Sequence, residues 1–73
     1  MVAVAPIETT VGRRIAEARQ AAGLTVRDLA TQLGWPHTTL ANYEIGRRPL
    51  TLARLAVIAR ALHRVPASFL VES

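Results

Sequence analysis

The feature that most limits the fold is the rhythm of residues 23–48, GLTVRDLATQLGWPHTTLANYEIGRR. Gly23, Gly34 and Gly46 cut this stretch into two segments, each with room for little more than a two-turn helix. Thr25 opens the first, and Thr25-Val26-Arg27-Asp28 resembles a capping box with Asp in place of the usual Glu or Gln. Leu29, Ala30 and Leu33 form its inward side. Proline suits the first turn of a helix, where its missing N–H costs nothing. The second segment therefore runs as helix from about Pro36 or His37 to Ile45. On it Leu40 and Tyr43 or Glu44 face inward, while His37, Thr38, Ala41 and Asn42 fall on the other side. The join is a three-residue turn opening with Gly34, which adopts positive φ without steric cost.

Helices this short depend on packing partners, and the flanks supply them. Val11, Ile15, Ala18 and Ala22 recur at helical spacing opposite Arg13, Arg14, Glu17 and Gln20, an amphipathic helix capped by Thr9 or Thr10 and stopped at Gly23. After the loop Arg47-Arg48-Pro49-Leu50, Thr51 caps a further helix with Leu52, Leu55, Ile58, Ala59 and Leu62 on one stripe. Only Arg54 and Arg60 interrupt its apolar run, so it is expected to be buried on more than one side, as the central helix. His63-Arg64 then leads to a short fifth helix starting at Pro66 and carrying Phe69 and Leu70. No strand pattern, repeat or low-complexity tract occurs. The expectation is an all-α, compact five-helix bundle over residues 9–73, preceded by a flexible arm, residues 1–8.

A chain of 73 residues is one domain. It buries only about 60% of its unfolded surface, and with no Cys it has no disulfide or thiolate metal site to staple it. Its core comes from packing alone, or from packing plus a partner chain. All nine basic residues are Arg, and against five acids they give a net charge of +4. The charge is uneven: four Arg face three acids in residues 1–36, and five face two in residues 37–73. Such a balance is compatible with a polyanionic partner. The start, MVAVAPIE, is apolar but lacks a basic lead and is interrupted by Pro6 and Glu8. It is too short for a signal sequence or membrane span, so a cytoplasmic protein without membrane contact is expected. No paired-carboxylate, nucleophile–base or phosphate-loop pattern is present, so neither an enzyme nor a cofactor is expected. His37 and His63 lack acids at ligand spacing, so no metal site is expected either.

The two short helices and their turn have the spacing of a helix-turn-helix. Ala30 is small where the helices would cross, Gly34 sits in the turn, and Leu40 returns to the core. In this register, residues from about 11 to 70 resemble the Cro/CI-type (XRE) helix-turn-helix family of bacterial and phage repressors, with a lambda-repressor-like bundle. VGRRIAEARQAAGLTVRDLATQLGW is similar to its first two helices. TTLANYEIGRR is similar to its recognition helix and Glu-x-Gly-Arg/Lys exit, and TLARLAVIARALHRVPASFL to its last two helices.

The resemblance implies a sequence-specific regulator, a repressor or autoregulator, whose third helix lies in the major groove of double-stranded DNA. His37, Thr38 and Asn42 correspond to the family's base-reading positions; Asn can pair bidentately with adenine, and Thr can meet a thymine methyl. The amides near Thr25 and Val26 correspond to a phosphate site at a helix start. Arg47 and Arg48 would clamp the backbone, with Thr39 a further phosphate contact. Arg19 and Glu44 match a partly buried salt bridge. Two positions depart from the family pattern. Val26 stands where Gln often braces the phosphate contact, leaving only the backbone there. Pro36 stands where Ser or Thr often caps the recognition helix.

Plainer readings hold for several residues. Trp35 reads as a core plug or turn cover ahead of a base-stacking residue, and Tyr43 as core with a hydroxyl that can reach a phosphate. His63 reads as a surface residue at a helix end, and Arg54, Arg60 and Arg64 as a solvated face ahead of a DNA contact. Leu50, Val57, Phe69, Leu70 and Val71 are much apolar surface for a small monomer, which points to a homodimer through the end of the fourth and fifth helices. The rival from another class is an antitoxin-type interaction module that covers a toxin. A further alternative is the DNA-binding domain of a longer regulator.

Overall fold

The computed structural model describes residues 7–70. Among them it contains four α-helices: α1 (Ile7–Ala21), α2 (Val26–Leu33), α3 (His37–Glu44) and α4 (Leu52–Ala61). The expected fifth helix is instead a single 3-10 turn, Pro66–Phe69. Pro66 brings no N–H, and the Ser68 hydroxyl donates to the Val65 carbonyl at 2.7 Å. The turn closes as Leu70 N–H donates to Ala67, an i→i+3 bond. Four residues leave no room for an α-helical ladder.

The caps set most of the boundaries. Thr25 Oγ1 accepts from the Asp28 amide at 3.0 Å while Asp28 Oδ2 accepts from the Thr25 amide at 2.9 Å, so the capping box is complete. Thr51 Oγ1 accepts from the Arg54 amide at 3.1 Å and starts α4. Gly34 ends α2 at φ 72°, and Trp35 N–H bonds back to the Ala30 carbonyl. The start of α1 departs from expectation. It begins at Ile7, so Thr9 and Thr10 lie inside the helix rather than cap it. The first turn rests on the α3 exit: a Cβ on Gly46 would come within 2.6 Å of Thr9 Oγ1 and 2.7 Å of Thr9 Cα. Residues 7 and 8, the end of the expected arm, are helical; residues 1–6 and 71–73, Val71 among them, lie outside the described residues.

The core gathers Val11, Ile15 and Ala18 from α1 and Leu29 and Ala30 from α2. Leu40 and Tyr43 join from α3, and Leu55, Ile58 and Ala59 from α4, closed by Leu62 and Phe69. Ala22, expected on the inward stripe, is exposed because α1 has already ended. Helix α4 is not central. It packs on α2 and the 3-10 turn and leaves Leu52 74% and Val57 45% exposed. The segment that follows it, Pro66–Phe69, is one turn long.

His63 takes φ 57°, alone among the described non-glycine residues in being left-handed. It follows the Leu62 cap of α4, where Arg64 N–H turns back to the Ala59 carbonyl at 2.8 Å. A side chain there costs about 1–2 kcal/mol, and glycine is the usual residue at such a position. His63→Gly is therefore expected to raise the unfolding free energy by about 0.5–1 kcal/mol after its own chain-entropy cost. Thermal unfolding of the two proteins decides it; an equal or lower midpoint for the variant contradicts strain at this residue.

Candidate nucleic-acid interface

Helix α3 has one buried and one open side. Leu40 and Tyr43 point into the core. Thr38 and Asn42, four residues apart, share the opposite stripe with Ala41 between them. His37 and Thr38 are exposed, and Ala41 and Asn42 are half-buried. Thr39 lies half-buried at the edge. The structure thus brings His37, Thr38 and Asn42 to one outward surface, as their spacing requires. Ala41 belongs to the same surface, and its small side chain lets another surface approach the helix closely.

Pro36 is the N-cap, at φ −59° and ψ 140°, and no side chain caps the helix. Its carbonyl accepts the Thr39 amide at 3.1 Å, which closes the first turn. The free amides at this end point outward beside His37. At the other end the Asn42 carbonyl accepts from the Arg47 amide at 2.9 Å and the Arg48 amide at 3.4 Å. The exit loop is thus tied by its backbone to Asn42. Both arginine side chains are exposed.

The start of α2 differs from the expected phosphate site in one respect. The Thr25 amide already donates to Asp28, and the Asp28 amide to Thr25. In the first turn this leaves Val26 and Arg27 to offer N–H groups to an anion. Val26 packs its side chain against the core. The backbone amide of Thr25, and then its hydroxyl, hold the Asp28 carboxyl below its ordinary pKa, so it is ionised beside those amides.

The orientation of α3 is fixed from below. Arg19 Nε donates to Glu44 Oε2 at 2.7 Å and Nη2 to Oε1 at 3.0 Å, and Nη1 donates to the Leu24 carbonyl at 2.7 Å. The two side chains are 9% and 7% exposed, so this is an internal pair. Gly12 of α1 meets the Tyr43 and Glu44 carbonyls so closely that a Cβ would collide with both.

A second support was not expected from the sequence. Arg54 is not solvated. It is half-buried, lies 4.7 Å over the Trp35 ring and donates from Nη1 to the Tyr43 hydroxyl at 3.0 Å. Trp35 and Tyr43 meet edge to face at 6.0 Å. These partners come from three segments, so no periodicity in the chain announces them. Arg14, placed on the outer side of α1, donates to the Phe69 carbonyl at 3.0 Å and secures the last turn. Arg60 and Arg64 are exposed. Among the described residues no cluster of three or more His or acidic side chains could hold a metal ion. No helix there is long and apolar enough to cross a membrane.

A family model for the helix-turn-helix domain matches residues 10–68. The chain belongs to the Cro/CI-type (XRE) helix-turn-helix family. This helix-turn-helix protein is similar in structure to the clp gene regulator ClgR from C. glutamicum, with TM-score 0.87 and 25% identity over 92% of this chain and 87% of that one. It is also similar to the restriction-modification controller protein C.AhdI from Aeromonas hydrophila, with TM-score 0.79 and 30% identity over 84% and 92%. In sequence it is 37% identical over 62 residues to multiprotein-bridging factor 1 of Candida albicans. That match spans 85% of this chain but 41% of the relative. The family is one of DNA-binding regulators, and in the helix-turn-helix frame α2, the Gly34 turn and α3 are the motif.

Proposed function

We propose that this protein is a sequence-specific transcriptional regulator that lays α3 in the DNA major groove. The observation that carries the reading is the divided surface of α3. Its polar stripe is outward, and its inner side is locked by the buried Arg19–Glu44 pair. A helix held that rigidly can present His37, Thr38 and Asn42 to base edges with one orientation. Asn42 recognises adenine, Thr38 offers a hydroxyl or methyl contact, and His37 donates to a guanine or a phosphate. Val26 and Arg27 amides, Thr39, Arg47 and Arg48 hold the backbone, which sets register without reading sequence. Regulation of transcription is supported by the similarity to ClgR, a clp gene regulator, and to C.AhdI, a restriction-modification controller protein. Repression or autoregulation is the simplest outcome of occupying an operator site.

The protein acts as a homodimer through the α4 end, where Val57, Val65 and Leu70 expose 45%, 68% and 42% of their surface. Two-fold pairing there gives half-sites about one DNA turn apart. Phe69, expected on this face, is buried within the subunit. Sedimentation showing only monomer at tens of micromolar, with and without DNA, removes the dimer.

Selection of sites from a random duplex pool, followed by binding titrations, tests the whole reading. Arg47→Ala is expected to weaken selected and scrambled duplexes by the same factor and to flatten the salt dependence. Asn42→Ala is expected to relax discrimination at one base pair by roughly 1–3 kcal/mol. A surface on which neither change alters DNA affinity is not the interface.

A further inference from the structure

The aromatic pair at the turn gathers positive charge that no neighbouring acid balances. Arg54 reaches from the first turn of α4 over the Trp35 ring, and its guanidinium carbon lies 5.8 Å from the Tyr43 ring centroid. The guanidinium carbon of Arg48 lies 5.5 Å from the same centroid. Two cations therefore share one ring. The adjacent carboxylate, Glu44, already has both oxygens engaged by Arg19. Among the described residues neither Arg48 nor Arg54 has a carboxylate partner. Arg54 is half-buried and so only partly hydrated, and it uses one of its five N–H donors on Tyr43. Like charges this near one ring repel, and an anion that reaches both offsets the repulsion. A guanidinium fork fits the oxygens of a phosphate.

We propose that Arg54 and Arg48, fixed in place by Trp35 and Tyr43, form a clamp for a phosphodiester of the DNA backbone beside the C-terminal end of α3. The clamp rests on the nucleic-acid reading above and adds to it a residue of α4. Trp35 and Tyr43 are positioning residues: their rings hold the cations, and the Tyr43 hydroxyl aims the Arg54 fork.

The test uses a duplex selected from the random pool, with each phosphate replaced in turn by a neutral methylphosphonate. Wild type, Arg54→Met and Arg13→Met are compared by binding titration over a range of salt, with folding checked by thermal unfolding. Arg13 is an exposed arginine on α1, paired with Glu17, and serves as the charge-matched control. For wild type, neutralising the clamped phosphate weakens binding. Arg54→Met is expected to lower the slope of log K against log salt by about 0.9 and to abolish the effect of neutralising that phosphate alone. Arg13→Met leaves both unchanged.

An unchanged slope in Arg54→Met overturns the clamp, as does a loss spread evenly over every phosphate or an equal fall in Arg13→Met. If Arg54→Met does not fold, Tyr43→Phe keeps the charge and ring but removes the aiming hydroxyl. It is expected to reduce the effect of that same phosphate while the salt slope is kept, and an undiminished effect overturns the clamp. Wild-type protein that binds no duplex removes the DNA reading itself. Wild-type binding with Arg54→Met unaltered removes only the clamp.

Discussion

Glu44→Gln is expected to lower the unfolding free energy by about 3–5 kcal/mol. The substitution keeps shape and removes charge, so Arg19 is left 8% exposed with no anion beside it. In the native protein that guanidinium makes three short bonds, two to Glu44 and one to the Leu24 carbonyl. Only the last survives undiminished. A chain this long has roughly 4–11 kcal/mol of total stability, so the loss is a large fraction of the whole. Urea unfolding measures the loss. Arg19→Met combined with Glu44→Met is expected to recover most of it, because replacing a buried pair by apolar groups is far cheaper than breaking it. A single-variant loss under about 1 kcal/mol, as for an exposed pair, would show that water reaches these groups in solution. The pair also joins α1 to the C-terminal end of α3, so DNA affinity is expected to fall with stability.

What was readable in the sequence was what local chemistry determines. Thr25 with Asp28, and Thr51, mark helix starts because a capping side chain bonds within three residues of itself. The two faces of α3 follow from helical spacing alone. The Arg19–Glu44 pair came from the family resemblance; nothing local links residues 25 positions apart. The misreadings have physical causes as well. Thr9 and Thr10 carry a cap's chemistry, but a threonine inside a helix looks the same in sequence. Helix α4 is apolar on nearly every side, and composition does not distinguish a face covered by its own chain from one left open. Leu52 and Val57 are of the second kind. Arg54 reads as a solvated residue because its partners, Trp35 and Tyr43, lie 19 and 11 residues away and are brought to it only by the tertiary fold. The sequence carries a faint signal: an arginine in the capped first turn of a helix, following a loop that begins beside an aromatic, Tyr43.

Gly12 was passed over altogether, and it supplies the second large effect. It lies inside α1, where glycine costs about 0.8–1.0 kcal/mol relative to alanine. On propensity alone Gly12→Ala stabilises. The packing predicts the reverse. A Cβ there would collide with the carbonyl oxygens of Tyr43 and Glu44 and lie 2.8 Å from the Glu44 carbonyl carbon. These are backbone atoms at the end of α3 and cannot swing aside as a side chain would. Relief requires α1 and the α3 exit to separate, which pulls Glu44 from Arg19 and Gly46 from Thr9. The net loss is expected to be on the order of 3 kcal/mol, at the upper end for overpacking. For a domain of this size that is a fall of roughly 12–24 °C in the unfolding midpoint. Differential scanning calorimetry separates the two arguments by sign: a midpoint equal to or above that of the native protein would mean that the close crossing does not exist in solution. The same displacement turns the outward stripe of α3. Folded Gly12→Ala protein, assayed well below its midpoint, is therefore expected to bind its selected duplex more weakly while its contacts to random DNA change less. A backbone clamp tolerates a small rotation of the helix. Base edges read at hydrogen-bond distance do not.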